Sequence, residues 1–286
     1  MSAGVGYALL SLVAAGVLDI VYARYSAKRS VTGTYLIGVG VVLIVGQSIA
    51  LAVAGVPFSF NVAAIVYGTL AGMVVLLANA LLIESLAGIN VSLGSTIYRL
   101  NTIAVVIFAV AFLHEALTLP KFAGVLLGVI AVILLYRRGG RGGDDRLLVV
   151  AVWLAIAASL LRAAFGIISK VGLGHGTDPF VFMIYVAIGW TLAAMGYGVV
   201  RRRRETAVLR NVVPYALVSG VLICLVASFL LLGLRMGEAS VVITIANMSF
   251  VVALLIAIAS GMEHFTARKL FAVASAVVAI VLLTAA

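Results

Sequence analysis

The sequence predicts an all-α polytopic membrane protein, with ten transmembrane helices arranged as two inverted five-helix repeats. Three observations carry that expectation: the apolarity of the chain, its division into bilayer-length runs, and a self-match at an offset of 148 residues. Of the 286 residues, 65% are hydrophobic and 10% charged, against roughly 25% charged in a soluble domain. A membrane-crossing helix needs about 20 apolar residues. Ten such runs occur, at 5–24, 33–54, 62–83, 90–113, 119–136, 147–169, 179–200, 212–234, 239–261 and 267–285. Their length and continuity favour helices, because barrel strands would be about 10 residues long with alternating polarity. The first run has no basic residue ahead of it, so it reads as a span and not as a signal peptide.

The self-match runs without a gap. Ser11, Leu12, Ala15 and Ile20 meet Ser159, Leu160, Ala163 and Ile168; Tyr67 and Gly72 meet Tyr215 and Gly220. Aliphatic matches come easily in such a chain, and polar ones do not. Ser92, Glu115, Thr118 and Lys121 nonetheless meet Ser240, Glu263, Thr266 and Lys269. The charged, glycine-rich stretch 138–146 reads as a cytoplasmic linker between a first unit at 4–137 and a second at 147–284. Each unit holds five spans, an odd number, so the second enters the membrane from the opposite face.

The net charge of +10 is an orientation signal. Of 19 Lys and Arg, 14 fall in alternate loops: Arg24, Lys28 and Arg29; Arg137, Arg138, Arg141 and Arg146; Arg201 to Arg204 with Arg210; and Arg268 with Lys269. The intervening loops hold Lys121, Lys170 and Arg235. That asymmetry places the rich loops in the cytoplasm and both termini outside, in a cell (plasma or inner) membrane. It argues against nucleic-acid binding, since the charges follow loops and do not form one patch. Cys224 is the single cysteine and lies in a span, so no disulfide framework or thiolate metal site follows.

The charges inside the spans are costly, about 2.5–3.5 kcal/mol each at the bilayer centre on insertion scales, so each needs a wet cavity or a partner. Arg99 falls near the middle of the fourth run, Arg162 toward the outer end of the sixth, and Asp19 toward the inner end of the first. Two readings stand side by side. Arg99 and Arg162 hold an anionic or carboxylate group, because guanidinium matches it bidentately; or Arg162 snorkels or pairs with Asp19 and only locks helices. Arg99 has no acidic residue one turn away on its own helix, so it is expected to be unpaired. Tyr98, Asn101 and Asn247 share its depth, and Asn247 is its repeat counterpart. These six residues form the candidate substrate-binding set.

His114-Glu115 and Glu263-His264 look like a metal or acid/base cluster, but inversion puts them on opposite faces across about 30 Å of hydrocarbon. The plainer reading is a helix hairpin, with Thr118 and Thr266 capping the helices that follow them and each Glu near their positive ends. Ser240 and Asn79 read as small packing or glue residues, Trp190 as lipid-facing, Trp153 as an interfacial anchor, Glu84 as a solvated helix end, and Lys170 as a snorkelling lysine. No catalytic set, metal site or cofactor motif is found, and no phosphate-binding Gly-x-x-x-x-Gly-Lys-Ser/Thr occurs.

At Ser92-Leu-Gly-Ser-Thr-Ile-Tyr-Arg99 through His114-Glu115-Ala-Leu-Thr118 and the span beyond, the chain resembles the EamA family of the drug/metabolite transporter superfamily. Ser240 through Glu263-His-Phe-Thr266 resembles the same module. It departs from the family pattern at Thr102 and Phe250, where a mid-span proline is common, and at His114 and Met262, where glycine usually precedes the hinge Glu. The resemblance implies a secondary transporter, not an enzyme. It would move a small metabolite (an amino acid, organic anion or drug-like molecule) by alternating access through a midplane cavity, coupled to a proton or other ion. The alternative is an integral membrane lipid-handling protein or enzyme, which would need reacting groups clustered at one interface.

Overall fold

A computed structural model describes residues 3–26, 32–85, 97–134, 145–201, 209–260 and 266–285. Every regular element among them is helical: α1 (Ala3–Ser26), α2 (Thr32–Val53), α3 (Thr69–Ser85), α4 (Asn101–Leu113), α5 (Leu119–Leu134), α6 (Asp145–Gly174), α7 (Pro179–Arg201), α8 (Leu209–Met236), α9 (Ala239–Asn247), α10 (Phe250–Ala259) and α11 (Ala267–Thr284). A π-helical turn, Ala64–Gly68, leads into α3. Among the described residues eight segments are long and apolar enough to cross a bilayer, as a polytopic membrane protein requires. The runs predicted at 90–113 and 119–136 appear as shorter apolar helices, 97–113 and 119–134, whose remaining residues lie outside the described set. The linker at 138–144 and the Glu263-His264 pair also lie outside it.

Local sequence explains where the helices begin. Asn61 Oδ1 accepts from the amides of Ala63 and Ala64 (2.8 and 3.2 Å), and Asp178 Oδ1 accepts from Phe180 N at 2.8 Å just as Pro179 opens α7. Thr118 and Thr266 accept from the amides of Lys121 and Lys269 (both 3.4 Å), the capping expected of them. α4 ends in a left-handed residue, His114 with φ 54°. That conformation explains why glycine suits this place, having no Cβ to crowd the carbonyl.

The ninth run is not one continuous helix. It breaks at Met248–Ser249, where the amides of Met248, Ser249 and Val251 bond three residues back and not four (3.0, 3.4 and 3.0 Å). The helical turn before α4 breaks likewise at Leu100, with Leu100 N on Ile97 O (3.2 Å) and Ile103 N on Leu100 O (3.0 Å). Leu100 and Met248 are 148 positions apart, so the two breaks are repeat counterparts.

The halves of the chain interleave. α1 packs on α8 and α3 on α6; α2 packs on both α7 and α8, α3 also on α7; α4 packs on α6, α1 on α9 and α10, and α5 on α11. Each main contact joins a helix of the first half to one of the second, and one hydrophobic core draws on both. The seams are fastened by single polar side chains. Ser11 Oγ donates to Val226 O (2.9 Å), Gln47 Nε2 to Cys224 O and Ser228 Oγ (3.3 and 3.1 Å), and Trp190 Nε1 to Leu36 O (3.1 Å). Trp190 is therefore not lipid-facing: it is 3% exposed, because its indole N–H needs the acceptor that α2 supplies. Trp153 is 65% exposed.

Glycines set the spacing of two of these seams. A Cβ on Gly72 would fall under 3.0 Å from Val186 O and Trp190 N, and one on Gly189 equally close to Thr69 O, so α3 and α7 touch backbone to backbone. At the counterpart seam, a Cβ on Gly220 would fall 2.5 Å from the side chain of Val42.

Candidate functional site

The two helix breaks meet at a buried polar knot. Breaking a helix frees carbonyls from their i+4 partners, and a freed carbonyl inside the protein needs another donor. Asn247 O finds Arg99, whose Nη1 donates to it at 3.0 Å and to Ser249 Oγ at 2.8 Å. Arg99 Nη2 donates to Asp19 Oδ2 on α1, and Ser249 Oγ reaches the same oxygen at 3.2 Å. Asn247 Nδ2 donates to Asn101 Oδ1 (2.7 Å) and to Thr102 Oγ1 (3.1 Å). The Arg99 guanidinium also lies over the Phe250 ring, 5.6 Å from its centroid. The side chains of Arg99 and Asp19 are 18% and 32% exposed, so the pair is shielded but not sealed.

The structure thus brings four of the six candidate residues, Asp19, Arg99, Asn101 and Asn247, into one network. It corrects two sequence expectations. Arg99 is paired, and the partner of Asp19 is Arg99, not Arg162. The reason is packing: α1 lies against α9 and α10, whose break holds the Arg99 guanidinium beside Asp19, and neighbours along one helix could not reveal that. Ser249 and Thr102 complete the network and were missed. Ser249 is the repeat counterpart of Asn101, which was the available signal.

Arg162 stands apart. It lies on the face of α6 that carries buried Ser159, Ala163 and Gly166, so it points inward. Counted along the helix from Leu148 to Gly174, it is about 21 Å from one end and about 18 Å from the other. The helix continues past the predicted run, so Arg162 lies near the middle of that apolar stretch. Its guanidinium carbon lies 6.0 Å from the ring centroid of Tyr98 and 5.8 Å from that of Phe165. Among the described residues no carboxylate pairs with it. The Tyr98 hydroxyl is buried and closes no hydrogen bond.

A second charged group ties the halves together at the ends of α4 and α8. Glu115 Oε1 accepts from Ala239 N at 2.6 Å, Oε2 accepts from Ser240 N at 3.1 Å, and Ser240 Oγ donates to Oε2. Glu115 therefore sits at a helix N-terminus as expected, but at that of α9, in the other half, and Ser240 is its hydrogen-bonding partner there. Lys121, 1% exposed, donates to Ala116 O and to Glu238. Lys170 does not snorkel: its Nζ donates to Leu234 O and Gly237 O, both at 2.5 Å, and so caps the end of α8. Arg235 and Asp178 are 3.7 Å apart. Of the other polar residues, Glu84 accepts from Tyr197 Oη at 3.2 Å. Asn79 donates to Val75 O of its own helix at 2.7 Å. Exposed His175 stacks on Tyr67 with centroids 5.3 Å apart. Among the described residues no three His, Cys, Asp or Glu side chains are grouped to hold a metal ion.

No family model matches the chain, and no curated protein matches it. The fold is shared with solved structures. A crystal structure described only as that of a protein superposes with a TM-score of 0.77, spanning 99% of this chain and 98% of its own, at 16% identity. At that identity the likeness shows the fold alone.

Proposed function

We propose that this chain is a secondary transporter of the EamA type, moving a small metabolite by alternating access between two inverted five-helix repeats in a cell membrane. The observation that carries the reading is the meeting of two repeat-related helix breaks, at Leu100 and Met248, on the Asp19–Arg99 pair. Irregular backbone at membrane depth is stable only where it is buried in protein or lines a cavity, and transporters place their substrate sites at such discontinuous helices. The interleaved packing supports the inversion. Under the 148-residue offset, α1 on α8 maps to α6 on α3, α3 on α7 maps to α8 on α2, and α4 on α6 maps to α10 on α1. Arg99, Asn101, Asn247 and Asp19 then organise the floor of the cavity, with Arg162 and Tyr98 beside it. A proton or other ion supplies the coupling. Counterflow in proteoliposomes, loaded with each of a panel of amino acids, organic anions and cationic drugs, tests the reading. Exchange above that of empty liposomes for at least one solute is expected, and its absence across the panel rejects a transporter.

A further inference from the structure

We infer that Arg162 and Tyr98 form the anion-holding half of the site, and that the ligand they take is a monocarboxylate with an apolar body. This rests on the transporter reading for its purpose but not for its chemistry.

Two guanidiniums lie at depth, and only one is neutralised. Asp19 neutralises Arg99, and Asn247 O and Ser249 take two more of its donors. Arg162 has beside it Tyr98, ring and hydroxyl oxygen, and the ring of Phe165, with both centroids near the limit of about 6 Å at which a ring still attracts a cation, and no carboxylate among the described residues. It cannot relieve this by snorkelling, since both ends of α6 lie beyond the reach of an arginine side chain. An inward-pointing cation without a counter-charge is retained at a cost, and a ligand anion would remove it. Tyr98 provides the independent second observation: its buried hydroxyl has a donor hydrogen and no acceptor. A guanidinium fork and one hydroxyl match a carboxylate, which accepts two parallel N–H bonds and one more hydrogen bond. One unpaired positive charge balances one negative charge; a dianion would bring an excess charge into the same low-dielectric place. The flanking rings of Tyr98 and Phe165 favour a ligand with an apolar body beyond its carboxylate.

The test uses the full chain in a neutral maltoside detergent at pH 8, followed by thermal unfolding with benzoate, benzamide or inorganic phosphate. Benzoate is expected to raise the melting temperature; neutral benzamide and the phosphate dianion are not. The benzoate shift should vanish in Arg162→Gln and in Arg162→Lys, which lacks the fork, and should fall in Tyr98→Phe. Without ligand, Arg162→Gln should melt higher than wild type, because an uncompensated charge has been removed; a purely structural arginine would melt lower. A benzoate shift that survives in Arg162→Gln, a response to phosphate alone, or no response to benzoate overturns the assignment. Counterflow separates this from the broader reading. Exchange of a neutral or cationic solute that persists in Arg162→Gln, with no benzoate shift in wild type, sinks the carboxylate site and leaves the transporter. A benzoate shift abolished by Arg162→Gln, with no counterflow of any solute, does the reverse.

Discussion

Asp19 and Arg99 come from helices 80 positions apart in the chain, and one Asp19 oxygen takes both the Arg99 guanidinium and the Ser249 hydroxyl. Breaking such a shielded pair from one side leaves a charge with nothing opposite it, which costs about 3–5 kcal/mol, whereas removing both charges is close to neutral. Asp19→Asn and Arg99→Gln should each lower the melting temperature sharply, and the double variant should recover most of the loss. Thermal unfolding of the four proteins is the check; additive losses would show that the two residues act separately.

Glu115 is the cap of a helix in the other half of the chain. Its carboxylate takes two backbone amides and the Ser240 hydroxyl, so Glu115→Ala should cost about 1–2 kcal/mol, as the loss of an N-cap does. Ser240→Ala removes only one of the three donors and should cost about half as much. Thermal unfolding measures both, and equal losses would mean that the carboxylate acts through the hydroxyl alone.

Glycines at the helix seams should resist substitution in a graded way. Gly72→Ala drives a methyl into the Val186 carbonyl and the Trp190 amide, neither of which can turn aside, so a loss of about 3 kcal/mol or more is expected. Gly220→Ala meets the Cβ of Val42 at 2.5 Å, which no rotamer change moves, but it meets no main-chain atom, so a smaller loss of about 2 kcal/mol is expected. Gly6→Ala meets nothing within 4 Å and should be silent. The yield of monodisperse protein and its melting temperature rank the three.

Positions 178 and 238 both lie on loops expected to face outward, and position 268 lies in the first turn of α11, at an end expected to face the cytoplasm. In a Cys224→Ala background, single cysteines at 178 and 238 should react with an impermeant maleimide applied to intact cells. A cysteine at 268 should react only after the membrane is opened. The opposite pattern would reverse the orientation drawn from the basic loops.

Much of this arrangement was legible in the chain. The runs of apolar residues located the spans, Thr118 and Thr266 marked two helix starts, and depth along the fourth run grouped Arg99 with Asn101 and Asn247. What stayed hidden depends on which faces meet. Depth alone could not decide whether Asp19 serves Arg99 or Arg162. Nor could it show that Glu115 reaches α9, since that contact spans 124 positions. The break at Met248 carries no proline or glycine in Ala246-Asn-Met-Ser-Phe250; the polar side chains of Asn247 and Ser249 stabilise it from across the interface. Trp190 looked lipid-facing because its acceptor, Leu36 O, lies on another helix.

The two glycine seams are mechanically unequal, although the 148-residue offset relates them. Between α3 and α7 the atoms in contact belong to the main chain, at Gly72 and Gly189, and have no rotamers through which to yield. The position equivalent to Gly189 is Val41, which is exposed, and Gly220 rests on the Cβ and a methyl of Val42, with no main-chain atom in the contact. Shear is therefore resisted along the first seam, which binds α3 and α7 into a stiff plate. Along the second, between α2 and α8, the contact at Gly220 is with a side chain alone, so no main-chain interlock opposes sliding at that point.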